Sequence, residues 1–297
     1  MIINDTQVQT LIEALPYLRD FKDKTIVVKY GGNAMLNDQI KNKVLQDIVF
    51  LQCAGMRPVV VHGGGPEITA MLMQAGKKSE FVSGLRVTDA ESVGIAEMAL
   101  VGKINTDLVA RLNTLGGRAV GLNGKDANLV QAKKHLADVY ENGEVNLVDI
   151  GYVGNVEHVN TDLIEVLLAN GFIPVIAPTG VGSSGETYNI NADSVAGEIA
   201  GALKAEKLLV LTDVRGIYSD YRDKNSFIST KTNKKAQELI IRGKIDGGMI
   251  PKVRACITAL SGGAKKTHII DGRAEHTILM EIFSDKGVGT EVVKELR

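Results

Sequence analysis

Lys29 ends an apolar run, Thr25-Ile26-Val27-Val28, and is followed within three residues by Gly31 and Gly32. A second apolar run, Pro58-Val59-Val60-Val61, ends in His62-Gly63-Gly64-Gly65-Pro66. Glycines let backbone N–H groups crowd round an anion, and a helix entered directly after them adds its positive end. Two such turns, one beside an ammonium group, are equipment for holding two anions close together. That suits phosphoryl transfer, where catalysis is mostly positioning and charge neutralisation. The bland alternatives are a lysine that snorkels at a sheet end and an ordinary strand-to-helix turn.

Four further stretches carry groups suited to the same chemistry. Gly84-Leu85-Arg86-Val87-Thr88-Asp89 places an arginine just before a predicted helix. Its guanidinium can grip a carboxylate with two parallel hydrogen bonds, or it is a surface arginine. Tyr188-Asn189-Ile190-Asn191-Ala192-Asp193 sets two amides and a carboxylate before another helix, as ligands or as helix caps. Leu211-Thr212-Asp213-Val214-Arg215-Gly216-Ile217-Tyr218 follows an apolar strand, and polar backbone beside an apolar wall suits a nucleotide base. Gly247-Gly248-Met249-Ile250-Pro251-Lys252 opens a helix, with Pro251 in its first turn. Lys252 adds charge to the positive end of that helix, an unfavourable placement unless an anion sits there.

Other chemistries are not legible. No G-x-x-x-x-G-K-[ST] occurs, which excludes a P-loop enzyme. A G-x-G-x-x-G does occur, from Gly180 to Gly185, but the Glu186-Thr187-Tyr188-Asn189-Ile190-Asn191 that follows does not open an amphipathic helix. The tract therefore reads as a linker rather than a dinucleotide fingerprint. The five histidines show no metal-ligand spacing, so no protein-held metal is expected, and no Ser-His-Asp set is apparent.

The elements that must position these groups follow from hydrophobic period. Val8, Leu11, Ile12 and Leu15 recur at i, i+3, i+4, i+7, predicting a short amphipathic helix capped by Asp5 or Thr6, with Pro16 near its end. Strands are predicted over 25–30, 58–62, 118–122, 172–177, 207–212, 267–271 and 290–293. Helices are predicted over 37–54, 67–75, 90–115, 162–170, 192–203, 234–242, 250–261 and 276–283. Gly94 and Gly102 mark a kink or close packing in the third of these, and 145–159 alternates as a hairpin should. The expected fold class is α/β, a three-layer α/β/α sandwich around a mostly parallel open sheet, with ligands at the C-terminal ends of the strands. Residues 178–185 (PTGVGSSG) are the densest Gly/Ser/Pro tract and the best candidate for a domain boundary.

Bulk properties exclude much else. The 297 residues carry a net charge of -1 and no block of like charges, and Trp is absent, which argues against a nucleic-acid or membrane partner. No apolar segment approaches the ~20 residues that span a bilayer. The first residues lack the charged and apolar regions of a signal peptide. Cys53 and Cys256 are the only cysteines, read as reduced core residues in a reducing, cytoplasmic compartment.

Taken in order, Lys29-x-Gly-Gly, His62-Gly-Gly-Gly-Pro, Gly84-Leu-Arg-Val-Thr, Asn189-Ile-Asn-Ala-Asp, Thr212-Asp-Val-x-Gly-Ile-Tyr and Gly247-Gly-Met-x-x-Lys252 resemble the amino acid kinase family from about Thr25 onward. The resemblance implies that family's fold in two lobes. Residues 25–179 would bind the acidic substrate and dimerise, and residues 180–297 would bind ATP and carry an arginine site. It also implies ATP-dependent phosphorylation of the side-chain carboxylate of N-acetyl-L-glutamate, in arginine biosynthesis, with Mg²⁺ held through the phosphates. Carried onto this chain, Lys29 and Lys252 stabilise the transferring group and Asp193 holds both. Gly64, Gly65, Arg86 and Asn189 bind acetylglutamate. Gly31 and Gly32 contact the phosphates, and Asp213, Gly216 and Tyr218 line the nucleotide site.

Minimal members of the family begin almost at the first strand, whereas this chain has residues 1–24 before it. Arginine-inhibited members carry such a helix, which links dimers into a hexameric ring, and a C-terminal pattern like His268-Ile-Ile-Asp-Gly-Arg, Glu281 and Gly287-Val-Gly-Thr here. The resemblance thus implies feedback inhibition by L-arginine, with Lys204, His268, Glu281 and Gly287 as contacts, and a homohexamer built as a trimer of dimers. Some members bind the nitrogen-signalling PII protein and some work in the plastid stroma. The rival readings are a kinase of acetylaminoadipate or another acidic amino acid, and a non-catalytic amino-acid sensor.

Overall fold

A computed structural model describes residues 5–31, 35, 37–141, 144–220, 222–223 and 225–295. The chain begins with α1 (Asp5–Phe21), β1 (Thr25–Tyr30), α2 (Asp38–Cys53), β2 (Arg57–His62) and α3 (Gly65–Gln74). A small hairpin of β3 (Phe81–Val82) and β4 (Leu85–Arg86) follows, then α4 (Ala90–Glu97), a π-helical segment Met98–Asn105, and α5 (Thr106–Thr114). Next come β5 (Ala119–Asn123), β6 (Val130–Glu141), β7 (Glu144–Val159), α6 (Asp162–Ala169), β8 (Ile173–Ala177), β9 (Thr179–Val181) and β10 (Thr187–Ile190). The remainder is α7 (Ala192–Ala202), β11 (Lys207–Thr212), β12 (Thr230–Thr232), α8 (Asn233–Ile241), α9 (Ile250–Gly262), β13 (Lys266–Asp271), α10 (Thr277–Ile282) and β14 (Thr290–Val293).

Eight strands make one sheet, in the order β12-β14-β13-β11-β1-β2-β8-β5, with every neighbouring pair parallel except β13–β14. The β-branched runs lie at its centre because both faces there are covered. Period-2 alternation divides β1 between two cores. Ile26, Val28 and Tyr30 pack with residues of α2, α3, α5 and α10, while Val27 packs with residues of α6, α7 and α9. Parity therefore sends Lys29 toward α7 and α9, and sends His62 to the other face, toward the π-helical segment. This is the expected three-layer sandwich. Beside it, β10, β7, β6 and β9 close a small barrel. Among the described residues no helix is long and apolar enough to cross a membrane.

Several local expectations need correction. Pro16 lies well inside α1 rather than near its end, because the helix runs on to Phe21. The 90–115 helix is interrupted by eight π-helical residues, and Gly94 and Gly102 have open space where a side chain would be, so neither serves close packing. The Gly/Ser/Pro tract is no open linker: Thr179–Val181 is β9, paired antiparallel with β10, and the glycines and serines after it form the turn. Strand β6, Val130–Glu141, was not expected at all; it pairs along β7 and supplies the other half of that hairpin. Cys53 is exposed at the end of α2, and only Cys256 is a core residue.

Candidate active site

Lys29 sits at the next-to-last position of β1, and only 6% of it is exposed. A bare ammonium group cannot stay there without a counter-charge. Asp193, in the first turn of α7, supplies one: its Oδ1 lies 2.9 Å from Lys29 Nζ. Its Oδ2 lies 3.2 Å from Lys252 Nζ, on the first turn of α9. The Lys29 contact is an ion pair off the hydrogen-bond direction, whereas Lys252 donates a hydrogen bond to Oδ2. Burial pushes the Asp193 carboxyl upward, but the two ammonium charges outweigh it and hold the group below its ordinary value. Asn191 caps α7, its Oδ1 accepting from Asp193 N at 2.8 Å, which settles its role as a cap. Lys29 is no snorkelling lysine, and the three expected catalytic residues are one cluster.

Two cavities meet at Lys29. The larger, about 520 Å³, is walled by Leu211, Val214, Ile217 and Met249 and edged by Gly31, Asp213, Gly216, Tyr218 and Lys252. The smaller, about 260 Å³, is formed by Gly63, Gly64, Gly65, Arg86, Asn189 and Asp193, with Phe81, Leu85, Leu100 and Val153 as apolar surface. The two glycine turns touch: a Cβ on Gly31 would stand 3.3 Å from Gly63. A Cβ on Gly64 would stand 2.5 Å from Ile104 Cδ1 and 2.6 Å from Leu100 Cδ2, so a larger residue would push those side-chain ends aside. Helix α3 opens at this turn and α9 opens beside the larger cavity, and neither N-cap residue offers a side-chain acceptor to its helix. Each cavity thus borders the positive end of a helix, which favours an anion.

Arg86 is buried and built into the smaller cavity rather than free at the surface. Its Nη2 donates to Gly65 O at 2.9 Å and to Thr69 Oγ1 at 2.8 Å, its Nη1 bonds Ser79 Oγ, and its guanidinium lies over the Phe81 ring. Gly32 lies outside the described residues. Lys244, Ile245 and Asp246 also line the larger cavity and were missed in the sequence; their position just before Gly247-Gly248 was the available signal. Phe81 was missed because a two-residue strand leaves no periodic trace.

A third cavity, about 470 Å³, includes His268, Glu281 and Gly287. His268 Nδ1 stands 2.7 Å from Glu281 Oε1, both side chains buried. Burial raises the Glu281 carboxyl, yet the close His268 imidazole and the Val288 and Gly289 amides win and bring it to about 2. Lys204 is not among the residues around this cavity: it follows α7 at φ 47°, and its stem packs against the Gly263 turn. Lys207 and Lys266 face the cavity instead. Tyr17 and Phe21 of α1 close one side, with Tyr17 donating to Asp285 Oδ1 at 2.5 Å.

The arrangement can hold two anionic ligands, with the Lys29 ammonium group between them and Lys252 at the edge of the larger cavity. Comparison with known proteins identifies the family. The sequence profile of the amino acid kinase family matches residues 24–271. Acetylglutamate kinase of Moorella thermoacetica is 58% identical over 283 residues, 95% of this chain and 96% of that protein. Acetylglutamate kinase of Pelotomaculum thermopropionicum is 56% identical over 285 residues, 96% of this chain and 97% of that protein. Among solved structures, N-acetylglutamate synthase from Neisseria gonorrhoeae complexed with coenzyme A and L-arginine superposes with a TM-score of 0.79 at 26% identity, covering 97% of this chain. This chain spans 65% of that synthase. Carbamate kinase from Giardia lamblia bound to AMP-PNP, with a TM-score of 0.67 at 19% identity over 92% of this chain and 99% of its own, shares the fold.

Proposed function

This chain belongs to the amino acid kinase family, and we propose that it transfers the γ-phosphoryl group of ATP to the side-chain carboxylate of N-acetyl-L-glutamate. The observation that carries the reading is the position of Lys29, which lines both cavities and is tied through Asp193 to Lys252. A cationic group common to two cavities marks where two anionic substrates meet. The full-length relatives named acetylglutamate kinase support the acceptor.

The larger cavity suits the nucleotide, with an apolar wall for the base and Gly31, Lys252 and the α9 end for the phosphates. The smaller suits acetylglutamate, with Arg86 on its α-carboxylate and Gly64, Gly65 and Asn189 around the rest. We assign residues 25–179 to the acceptor lobe and 180–297 to the nucleotide lobe on this basis. The acceptor carboxylate is ionised at neutral pH, so no general base is needed. One of its oxygens bonds to the γ-phosphorus as the bond from that phosphorus to the β–γ bridging oxygen breaks. ADP leaves with that electron pair, and no proton moves. The barrier is repulsion between anions, which Lys29, Lys252, the glycine amides and the two helix ends offset. Mg²⁺ entering on the phosphates would neutralise part of their charge. Asp193 is already held by two ammonium groups, which fits an ion carried by the nucleotide rather than by this carboxylate.

We also assign feedback inhibition by L-arginine to the third cavity. The buried, ionised Glu281 suits a guanidinium group, His268 and Gly287 lie beside it, and a similar synthase was solved with L-arginine. The apolar stripe Val8, Leu11, Ile12 and Leu15 of α1 is exposed. It supports pairing of α1 between subunits, in a hexamer, over packing on its own subunit.

The test traps acyl phosphate as hydroxamate with ATP, Mg²⁺ and N-acetyl-L-glutamate, beside acetylaminoadipate, aspartate and glutamate. Product from acetylglutamate alone is the expected result. Product from another acid reassigns the acceptor, and none from any acid leaves the sensor reading.

A further inference from the structure

We propose that His62 is a positioning residue for this transfer: its imidazole, held in one tautomer by Asn105, fixes the Gly63 carbonyl and so holds the Gly64–Gly65 backbone against the acceptor cavity. The inference rests on the kinase reading above. His62 is the last residue of β2 and is wholly buried. One ring nitrogen, Nδ1, lies 3.0 Å from Gly63 O, and the other, Nε2, lies 3.1 Å from Asn105 Nδ2.

The network assigns the protons. Asn105 Nδ2 also lies 2.8 Å from Val175 O and 3.4 Å from Leu122 O, so it is the donor end of the carboxamide. His62 Nε2 must then accept, which leaves the ring hydrogen on Nδ1, donated to Gly63 O. Burial pushes the imidazole down to about 4, which keeps it neutral with one hydrogen to place. Gly63 in turn donates from its N–H to Tyr30 O at 2.7 Å, joining this turn to the strand that carries Lys29.

Two further details show that the contact is built in. A Cβ at Gly121 would collide with Asn105 Oδ1, so β5 is bare where the carboxamide lies. Asn105 also ends the π-helical segment whose Leu100 and Ile104 press on Gly64. One irregular segment therefore holds the glycine turn twice, through its carbonyl and through its Cα. π-Helical turns inside longer helices frequently occur at functional sites, and here the irregularity brings Asn105 to His62.

The experiment compares wild type, His62→Leu, His62→Asn and Asn105→Ala, with wild-type acyl-phosphate formation from acetylglutamate measured first. An inactive wild type defeats the kinase reading itself. With wild type active, His62→Leu is expected to lower kcat about ten- to a hundredfold, by analogy with removing a group that orients a ligand. ATP binding, measured by calorimetry and used to count folded sites, should hold within about threefold. Asparagine can place an amide N–H near the Nδ1 position, so His62→Asn should recover most of the loss, and Asn105→Ala should lose a smaller part. A kcat per folded site equal to wild type in both His62→Leu and Asn105→Ala overturns the proposal. So does a loss that tracks Tm alone, with no rescue by asparagine. If His62→Leu does not fold, Asn105→Ala and His62→Asn decide the matter by the same criteria.

Discussion

Lys29 Nζ and Asp193 Oδ1 stand 2.9 Å apart with side chains only 7% and 5% exposed, at the seam between two cavities that they do not share equally. Lys29 faces both spaces, whereas Asp193 faces only the smaller. The carboxylate steers the ammonium group without standing between the reactants. Lys29→Ala or Lys252→Ala should lower kcat by about 10²–10³, the scale of losing one preorganised donor. Asp193→Ala should do similar damage and also destabilise the fold by about 3–5 kcal/mol, because it leaves buried Lys29 without its partner. Steady-state kinetics with denaturant unfolding checks both, and an unchanged kcat in any of the three removes that residue from the mechanism.

Arg86 should separate binding from chemistry. Arg86→Ala is expected to raise KM for acetylglutamate about ten- to a hundredfold with little change in KM for ATP, since a charged hydrogen bond is worth about 1.5–3 kcal/mol. Arg86→Lys should not restore it, because an ammonium group cannot replace a planar fork that reaches Gly65, Thr69 and Ser79. A variant that loses ATP affinity instead would contradict the assignment.

Stability should fall on mild acidification. His62 titrates at about 4 when folded, against an ordinary 6.5, so between these values the unfolded chain binds more protons. Its contribution is complete above pH 6.5 and is lost as the pH falls toward 4, a change of about 3 kcal/mol. Its hydrogen-bond partners, Gly63 and Asn105, are uncharged. His268 is also pushed down by burial and adds to the same window. Asp193, held low, loses its contribution only as pH falls below the ordinary carboxylate range. Tm measured from pH 7 to 4 should decline, and His62→Asn should flatten the slope. An equal slope in that variant would show that His62 is not its source.

Removing residues 1–20 should lower the particle mass in light scattering and raise the arginine concentration for half inhibition, each protein being compared with its own uninhibited rate. The deletion takes away the exposed Val8-Leu11-Ile12-Leu15 stripe and also Tyr17, which bonds Asp285 at the third cavity. Unchanged mass and response would sink both assignments.

The heart of the central sheet was legible because β1 and β2 are β-branched runs closed by glycines, with Lys29 at the end of the first and Asp193 and Lys252 at helix starts; the edge strand β12, only Thr230–Thr232, left no such trace. What escaped depended on distant partners. Strand β6 lacks an apolar run of its own, with Lys133, Lys134 and His135 in its middle, and becomes a strand by pairing with β7. The Gly180–Gly185 tract has the composition of a linker, yet Tyr188 and Asn189 across the hairpin make Thr179 and Gly180 strand residues. The π-helical turn at Met98–Asn105 obeys no sequence period; it depends on tertiary contacts such as those with Gly64 and His62. Lys204 fitted a pattern by position along the chain, but in the α7–β11 turn it is not among the residues that line the cavity of Glu281.

Strand β1 is bonded along both edges, to β11 and to β2. A strand fastened on both sides has little freedom to shift, so Lys29 stands on a fixed post between the two cavities it lines. On the assignment proposed above, the walls of the ATP room and of the acceptor room can vary without moving the one ammonium group that serves both.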